Sequence, residues 1–360
     1  MHENTDAPTA GAAAPTAGAD ALTVGVDIGG TKIAAGVVDA AGRILAHAYR
    51  TTDPREPEQI ESAVADAVAE LRAQYPQVGA VGAAAAGFVG PDRTTVLFAP
   101  NIAWRNHPLG NRLAERTGLP VVIENDANAA AWAEYRFGHG RGTRDMVMLT
   151  LGTGLGGAVI ADGRLIRGSF GAAAELGHMK IVPDGHFCGC GQEGCWEAYS
   201  SGTALAKLAR SVATTDPDGA RAMLKVADGE PLSGAHVTAA ARQGDPVATR
   251  LLWRFGHYLG VGVATLAAVV DPQVVVVGGG IAAAAGDLVL PAAREGFLGK
   301  LSGRGFRGEL RIVTAELAND AGIIGAADSA RTPAPGAADA PGTPDAADAV
   351  GSPVAAAVPA

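Results

Sequence analysis

Residues 22–39 read LTVGVDIGGTKIAAGVVD, and residues 145–160 read DMVMLTLGTGLGGAVI. The two stretches share one pattern: an apolar, β-branched run enters a glycine-rich turn, and a second apolar run leaves it. That predicts a strand, a tight turn and a returning strand. In the first stretch the turn is Gly29-Gly30-Thr31, and GRILAHAYR (42–50) adds a third strand after a turn at Asp39–Gly42. In the second, the strand covers Asp145–Leu151 and the turn Gly152–Gly157. The return begins at Ala158–Ile160, and Gly163 turns into Arg164–Arg167. The repetition, with Thr31 and Thr153 in matching turns, predicts two lobes of one design facing each other across a cleft. Glycine turns leave backbone N–H groups open to a phosphate. The expectation is therefore that both turns hold nucleotide phosphates. An ordinary hairpin explains either turn taken alone, and no GxxxxGK[ST] occurs, so neither is a Walker loop.

Between and after these stretches the chain alternates. Glu58–Gln74 is an amphipathic helix, with Ile60, Val64, Ala67, Val68 and Leu71 at helical spacing. Gln77–Phe88 reads as a buried strand leading to a loop at Gly87. Asn101 follows Pro100 in a loop, where a turn former is the stronger reading than a hydroxyl ligand. A helix over Leu109–Thr117 precedes a strand over Pro120–Ile123, which ends in Glu124-Asn125-Asp126 ahead of a helix through Ala127–Phe137. Asp126 thus stands at the carboxyl end of a strand, where α/β sheets place ligands; helix capping is its competing role. Residues 199–258 read as largely helical, Tyr258–Val270 as a buried helix and Gln273–Val277 as a buried strand. Gly278-Gly279-Gly280 then turns into a helix around Asp287–Glu295. Such a turn lets an adenine or ribose lie against bare backbone, or is simply a tight connection. Arg311–Ala315 is a last strand and Asn319–Ala330 a final helix.

All three cysteines, Cys188, Cys190 and Cys195, fall within one short loop, with His178 upstream. Three thiolates and an imidazole make a closed tetrahedral zinc site, with no vacancy for water. Gly189, Gly191 and Gly194 are expected to supply the φ values such a knuckle needs. Glu175 and Glu197 bracket the knuckle. Ionised carboxylates accept hydrogen bonds from sugar hydroxyls, so the metal reads as structural and the acids as the sugar-facing element.

The chain has 360 residues, 48% of them hydrophobic, and a net charge of −9. Residues 1–21 carry −3 and residues 331–360 carry −2, leaving −4 on the body. That body is a poor nucleic-acid or polyanion binder. Both ends are Ala/Pro/Gly/Thr-rich and are expected to be disordered tails. Cysteines at metal spacing fit a reducing cytoplasm. The start lacks a signal-peptide pattern, and no membrane span is expected.

Asp27-Ile28-Gly29-Gly30-Thr31-Lys32, the run Leu151–Val159 followed by Gly168, Ala174 and Gly177-His178, and Cys188-Gly189-Cys190-Gly191 with Gly194-Cys195 together resemble the motifs of the ROK family (repressors, open reading frames, kinases). Within it, the chain is most similar to the ATP-dependent glucokinases of high-GC Gram-positive bacteria. The resemblance covers residues 22–330. It implies an actin/hexokinase-like (ribonuclease H-like) α/β fold of two lobes around a cleft. A small lobe spans 22–123 and is completed by a helix at 318–330; a large lobe with the zinc knuckle spans 124–317. It implies transfer of the γ-phosphoryl of ATP to the 6-hydroxyl of a hexose, glucose first. Asp126 would be the base. Asn101, Asn125, Glu175, His178 and Glu197 would hold sugar hydroxyls beside Asp126, His178 using one ring nitrogen for zinc and the other for sugar. Thr31 with Gly29 and Gly30, and Thr153 with Gly152 and Gly154, would face the phosphates; Gly278–Gly280 would face the adenosine. Asp27 would position Mg2+ through water, and the role of Lys32 is left open. A homodimer or homotetramer is implied. Ala174 stands where family members often have glycine, which is expected to tighten the sugar pocket. An N-acetylhexosamine kinase, a polyphosphate-using kinase and a sugar-responsive repressor are the alternatives. The last is disfavoured because only 21 residues precede the first strand, and no Lys or Arg comes before Lys32.

Overall fold

The computed structural model describes residue 18 and residues 20–331. The expected tails lie outside the described residues, apart from Gly18, Asp20, Ala21 and Arg331. Arg331 corrects the boundary of the second tail. It is buried, donates to the Ala21 carbonyl at 2.9 Å and to Asp328 at 3.1 Å, and also reaches the Val38 carbonyl. The folded body therefore runs through Arg331.

The first sheet begins as a meander: β1 (Thr23–Ile28), β2 (Lys32–Val38) and β3 (Ile44–Thr51) are antiparallel neighbours. Helix α1 (Pro57–Gln74) then crosses to β4 (Ala80–Ala85), which pairs parallel to β1. A small antiparallel sheet follows, of β5 (Phe88–Val89), β6 (Val96–Phe98) and β7 (Arg105–His107). Helix α2 (Leu109–Thr117) leads to β8 (Val121–Asn125), parallel to β4. The sheet order is β3-β2-β1-β4-β8.

Helix α3 (Asp126–Phe137) carries the chain into the second sheet, of β9 (Met146–Leu151), β10 (Leu155–Ala161) and β11 (Arg164–Leu165). Four helices follow: α4 (Gly202–Thr215), α5 (Arg221–Ala227), α6 (Gly234–Arg242) and α7 (Pro246–Val270). Strand β12 (Val274–Gly278), helix α8 (Gly280–Lys300), strand β13 (Arg311–Thr314) and helix α9 (Ala321–Ser329) complete the chain. The order β11-β10-β9-β12-β13 repeats the first sheet: a meander, then two strands added in parallel. The duplication expected from the two glycine turns is thus a duplication of whole sheets.

Two boundaries differ from expectation for physical reasons. Strand β10 starts at Leu155, not Ala158, because Gly156 and Gly157 are strand residues. A Cβ on Gly157 would meet the Leu176 side chain at 2.6 Å and the Met148 carbonyl at 2.9 Å, so that glycine serves close packing. Helix α7 starts well before Tyr258, because the Asp245 side chain caps it by accepting the Ala248 N–H at 2.7 Å and Pro246 takes the first turn.

Each lobe has its own core. Val24, Val26, Ile28, Ile60, Leu71 and Leu113 fill the first, and Leu149, Trp196, Phe255, Val275 and Val277 the second. Each such side chain contributes about 1.5–3 kcal/mol on burial. Helix α9 lies directly on the first sheet, where a Cβ on Gly82 would come within 1.8 Å of the Ala326 carbonyl. It also crosses α3 so closely that a Cβ on Gly325 would come within 1.7 Å of the Ala129 carbonyl. The last helix therefore packs on the first sheet, and α3 and α9 form the joint between lobes; the lobe boundary expected at 124 cuts β8, whose pairing with β4 keeps Glu124 and Asn125 in the first sheet. No helix among the described residues is long and apolar enough to cross a membrane.

Candidate active site

The parallel strands β4 and β8 point their carboxyl ends into a cavity of about 1210 Å³ between the lobes. From the small-lobe side its wall includes Gly87, Phe88, Phe98, Asn101, Asn125 and Asp126. From the other side come Gly152–Gly154, Glu175, His178, Glu197 and Gly279. Residues far apart in sequence thus meet around one space.

The βα junction at Asn125-Asp126 settles which residue caps α3. Asn125 is the cap: its Oδ1 accepts the Asn128 N–H at 3.0 Å. Its Nδ2 donates to the Gly87 carbonyl at 3.1 Å and to Asp126 Oδ1 at 3.0 Å. The capping role weighed for Asp126 therefore belongs to its neighbour. Asn125, expected to hold a sugar hydroxyl, lines the cavity and also shapes the turn. Asp126 sits at the first helical position and opens onto the cavity. Enclosure by the cleft walls raises its pKa; the Ala127 N–H, its own N–H and the Asn125 amide oppose that.

Asp27, near the end of β1, is half-buried. Its pKa is pushed up to about 6, first by burial and then by the charge of Asp126, with Lys32 opposing. Like charges held near each other in a partly dry site favour a cation beside them. Neither Asp27 nor the first turn is part of the cavity wall. Gly29 donates its N–H to the Lys32 carbonyl at 2.9 Å, and the Lys32 ammonium lies 4.5 Å from the centre of the Tyr49 ring. Gly30 and Thr31 form its tip, with Thr31 exposed.

The second turn is docked on a helix end that sequence reasoning missed. The Gly152 carbonyl accepts the Gly202 N–H at 2.9 Å, and the Thr153 carbonyl accepts the N–H and hydroxyl of Thr203 at 3.1 and 2.8 Å. Ser201 caps that helix by accepting the Ala204 N–H at 3.1 Å. The first three N–H groups of that helix are thus taken up by the turn and the cap, and the positive end of its dipole lies beside the glycine turn. The Ser201-Gly202-Thr203 sequence, a capping residue ahead of a helical run, was the signal available for it. The triple glycine divides three ways. Gly278 packs inward, where a Cβ would meet Met148 at 2.9 Å. Gly279 lines the cavity at φ +87°. Around Gly280 nothing lies within 4 Å.

The four knuckle residues converge. Candidate ligand atoms of His178, Cys188, Cys190 and Cys195 lie within 4.8 Å of one another. His178 Nδ1 is 3.7 Å from Cys188 Sγ, and the sulfurs of Cys190 and Cys195 are 3.7 Å apart. A tetrahedron with metal–sulfur bonds of about 2.3 Å has edges of about 3.8 Å, so the donor set fits Zn2+. Burial and the neighbouring sulfurs push the Cys195 thiol up to about 12, the behaviour of crowded thiols that want a cation. Of the three knuckle glycines, Gly191 (φ +86°) and Gly194 (φ +75°) take the left-handed conformation; Gly189 does not, correcting that expectation. Trp196 anchors the loop: it is fully buried and donates Nε1–H to the Tyr258 carbonyl at 3.1 Å.

Around the knuckle the two acids differ. Glu197 accepts the Leu155 N–H at 3.0 Å through Oε2, and its Oε1 lies 3.6 Å from Cys188 Sγ, so it ties the metal loop to the second glycine turn. Glu175 is exposed in the cleft. Its pKa is raised by burial; His178 lowers it, and the charges of Asp126 and Glu197 raise it further. His178 leaves Nε2 free of the sulfurs, as a dual role requires. Ala174, the residue expected to tighten the pocket, lines the cavity and holds φ +64°, a left-handed value that glycine adopts without strain.

Residues 23–332 match the sequence pattern of the ROK family. A glucokinase of Streptomyces coelicolor is 50% identical over 310 residues, covering 86% of this chain and 97% of that one. The crystal structure of a ROK family glucokinase from Streptomyces griseus, in complex with glucose and AMPPNP, is 50% identical. It superposes with a TM-score of 0.76, covering 86% of this chain and 99% of that one. A ROK hexokinase from Thermus thermophilus is 35% identical with a TM-score of 0.74, covering 86% and 97%.

Proposed function

The chain belongs to the ROK family, and from that premise we propose that it is an ATP-dependent glucokinase, transferring the γ-phosphoryl of ATP to the 6-hydroxyl of glucose. One observation carries the reading. Asp126 is relieved of helix capping by Asn125, has a raised pKa, and opens onto the same cavity as Glu175 and His178. The half-identical Streptomyces enzyme that binds glucose with AMPPNP supports the choice of substrates.

Phosphoryl transfer asks a protein chiefly for positioning and charge neutralisation. Glu175 and His178 Nε2 hold sugar hydroxyls, and Asn101 reaches the sugar from the β6–β7 loop. Asn125 fixes Asp126, and Asp126 orients the 6-hydroxyl and takes its proton. The Gly152–Gly154 turn and the adjoining N-terminus of α4 receive the phosphates, with Gly29–Thr31 closing on them from the other lobe; Gly279 borders the adenosine. Asp27 would hold Mg2+ through water, an ion that supplies neutralisation of phosphate charge. His178, Cys188, Cys190 and Cys195 would hold Zn2+, which supplies rigidity to the sugar loop. Closure of the lobes over sugar keeps water from the γ-phosphorus. Assembly as a homodimer or homotetramer belongs to the same proposal. An ADP-release assay across glucose, mannose, N-acetylglucosamine and N-acetylmannosamine tests it, with polyphosphate replacing ATP in one arm. Glucose with ATP should dominate; preference for an N-acetylated sugar or for polyphosphate would refute it.

A further inference from the structure

One buried network has no part in the chemistry described so far. Glu124, the residue of β8 directly before the cap and base, is 2% exposed. Its Oε1 accepts the Asn125 N–H at 3.3 Å and Asn128 Nδ2 at 3.2 Å, both groups of the turn that presents Asp126. Its Oε2 takes the Arg167 guanidinium through Nε at 2.9 Å and Nη2 at 2.6 Å. Arg93, from the β5–β6 connection, stands 3.4 Å away on the same oxygen. Arg167 follows β11 and so belongs to the other lobe. Its backbone carbonyl accepts the Ala173 N–H at 3.1 Å, closing the loop that leads into Ala174 and Glu175. That loop also rests on the small lobe: a Cβ on Gly171 would come within 1.8 Å of the Val89 carbonyl. One arginine therefore grips the base-bearing turn with its side chain and the sugar-bearing loop with its backbone.

We propose that Glu124 and Arg167 form a strut between lobes that sets Asp126 against the Glu175 loop. Both are positioning residues for phosphoryl transfer, and the inference rests on the sugar-kinase reading above. Two charge-assisted hydrogen bonds from one planar guanidinium, converging on Oε2, fix direction as well as distance, which a lysine cannot reproduce. An ångström of misplacement at a reacting group costs on the order of 10²-fold in rate.

The test is a cycle of Arg167→Met, Asp126→Asn and the double variant, with turnover and KM measured for glucose and for ATP. If the strut acts through Asp126, Arg167→Met alone lowers kcat on the order of 10²-fold and leaves the KM for ATP unchanged. In the Asp126→Asn background it costs less than about threefold, because the base it positions is already lost. Arg167→Lys, which keeps the charge and loses the planar guanidinium, should fall between; it runs the same cycle if the methionine variant does not fold. Equal losses in both backgrounds mean a merely structural role and overturn the inference, as does unchanged turnover in the single variants. Those outcomes differ from failure of the kinase reading, in which the wild-type chain itself would not phosphorylate glucose.

Discussion

Replacing Cys195 by serine, or stripping the knuckle with a zinc-selective chelator, should damage sugar use far more than it damages the body of the fold. Cys195 is fully buried, 3.7 Å from the sulfur of Cys190, and adjoins Trp196, which is held by the core through Tyr258. The loop's rear edge is therefore anchored without metal. Its front, from His178 to Cys190, is tied back through hydrogen bonds such as Ile181 N–H to the Gly194 carbonyl at 2.9 Å and His186 N–H to the Tyr199 hydroxyl at 2.8 Å, which leave the His178, Cys188 and Cys190 side chains for a metal to fix. Loss of the proposed Zn2+ would free His178 directly and Glu175 with it, because the His178 N–H is bonded to the Glu175 carbonyl at 3.0 Å. Hydrogen bonds to charged groups are worth about 1.5–3 kcal/mol each, so two of them sum to about 3–6 kcal/mol. At about 1.4 kcal/mol per tenfold, that is on the order of 10²–10⁴ in kcat/KM for glucose. The Gly152–Thr153 turn is held by α4 rather than by the knuckle. Affinity for ADP should thus stay within about threefold. The assay is a coupled ADP-release measurement in restored Mg2+, with metal content followed by mass spectrometry and nucleotide binding by calorimetry. A metal-free protein with glucose kcat/KM within threefold of the holoprotein would refute the reasoning.

The remaining predictions are more local. Asp27 has a folded-state pKa of about 6, above its unfolded value of about 3.8. Its protonation therefore supports the nucleotide-free fold at low pH, and that support is lost as pH rises from about 4 through about 6. Asp27→Asn should accordingly raise stability by about 1–2 kcal/mol at pH 7.5, after allowance for cleft water, and flatten the pH dependence of melting seen without ligand. The raised pKa of Asp126 places the acid limb of kcat/KM above the ordinary carboxylate range of about 4, with activity falling as pH falls; Asp126→Asn should remove that limb from the residual rate. Ala174→Gly relieves a left-handed alanine, a gain of about 1–2 kcal/mol set against a cost of about 0.4–1 kcal/mol for the freer unfolded chain. The melting temperature should hold or rise slightly, while the wider pocket should raise kcat/KM for 2-substituted glucose analogues relative to glucose.

Much of this was legible because local patterns carried it. Glycine turns between β-branched runs announced both meanders, and three cysteines in one loop announced the knuckle. Where reading failed, a residue type had more than one physical use. Gly156 and Gly157 looked like turn residues, yet they lie in a strand, where the Thr150 hydroxyl crowds the first and the Leu176 side chain the second. Asn125 and Asp126 are both good caps, and only coordinates show that Asn125 takes the role and leaves Asp126 open. Gly278–Gly280 looked uniform, yet only Gly279 reaches the cavity wall. The Ser201–Thr203 helix start, docked on the second glycine turn, and the pairing of Glu124 with Arg167, 43 positions apart, depend on long-range packing that no window of sequence contains.

The proposed phosphoryl transfer turns on Asp126, freed by Asn125 from capping a helix, meeting the hydroxyl that receives phosphorus. Asp126→Ala tests this most directly, with glucose binding by calorimetry and turnover by ADP release measured on the same preparation. Glucose affinity should stay within about threefold of wild type and turnover should fall by about 10²–10⁴. Turnover close to wild type, with glucose still bound, would contradict that role of Asp126.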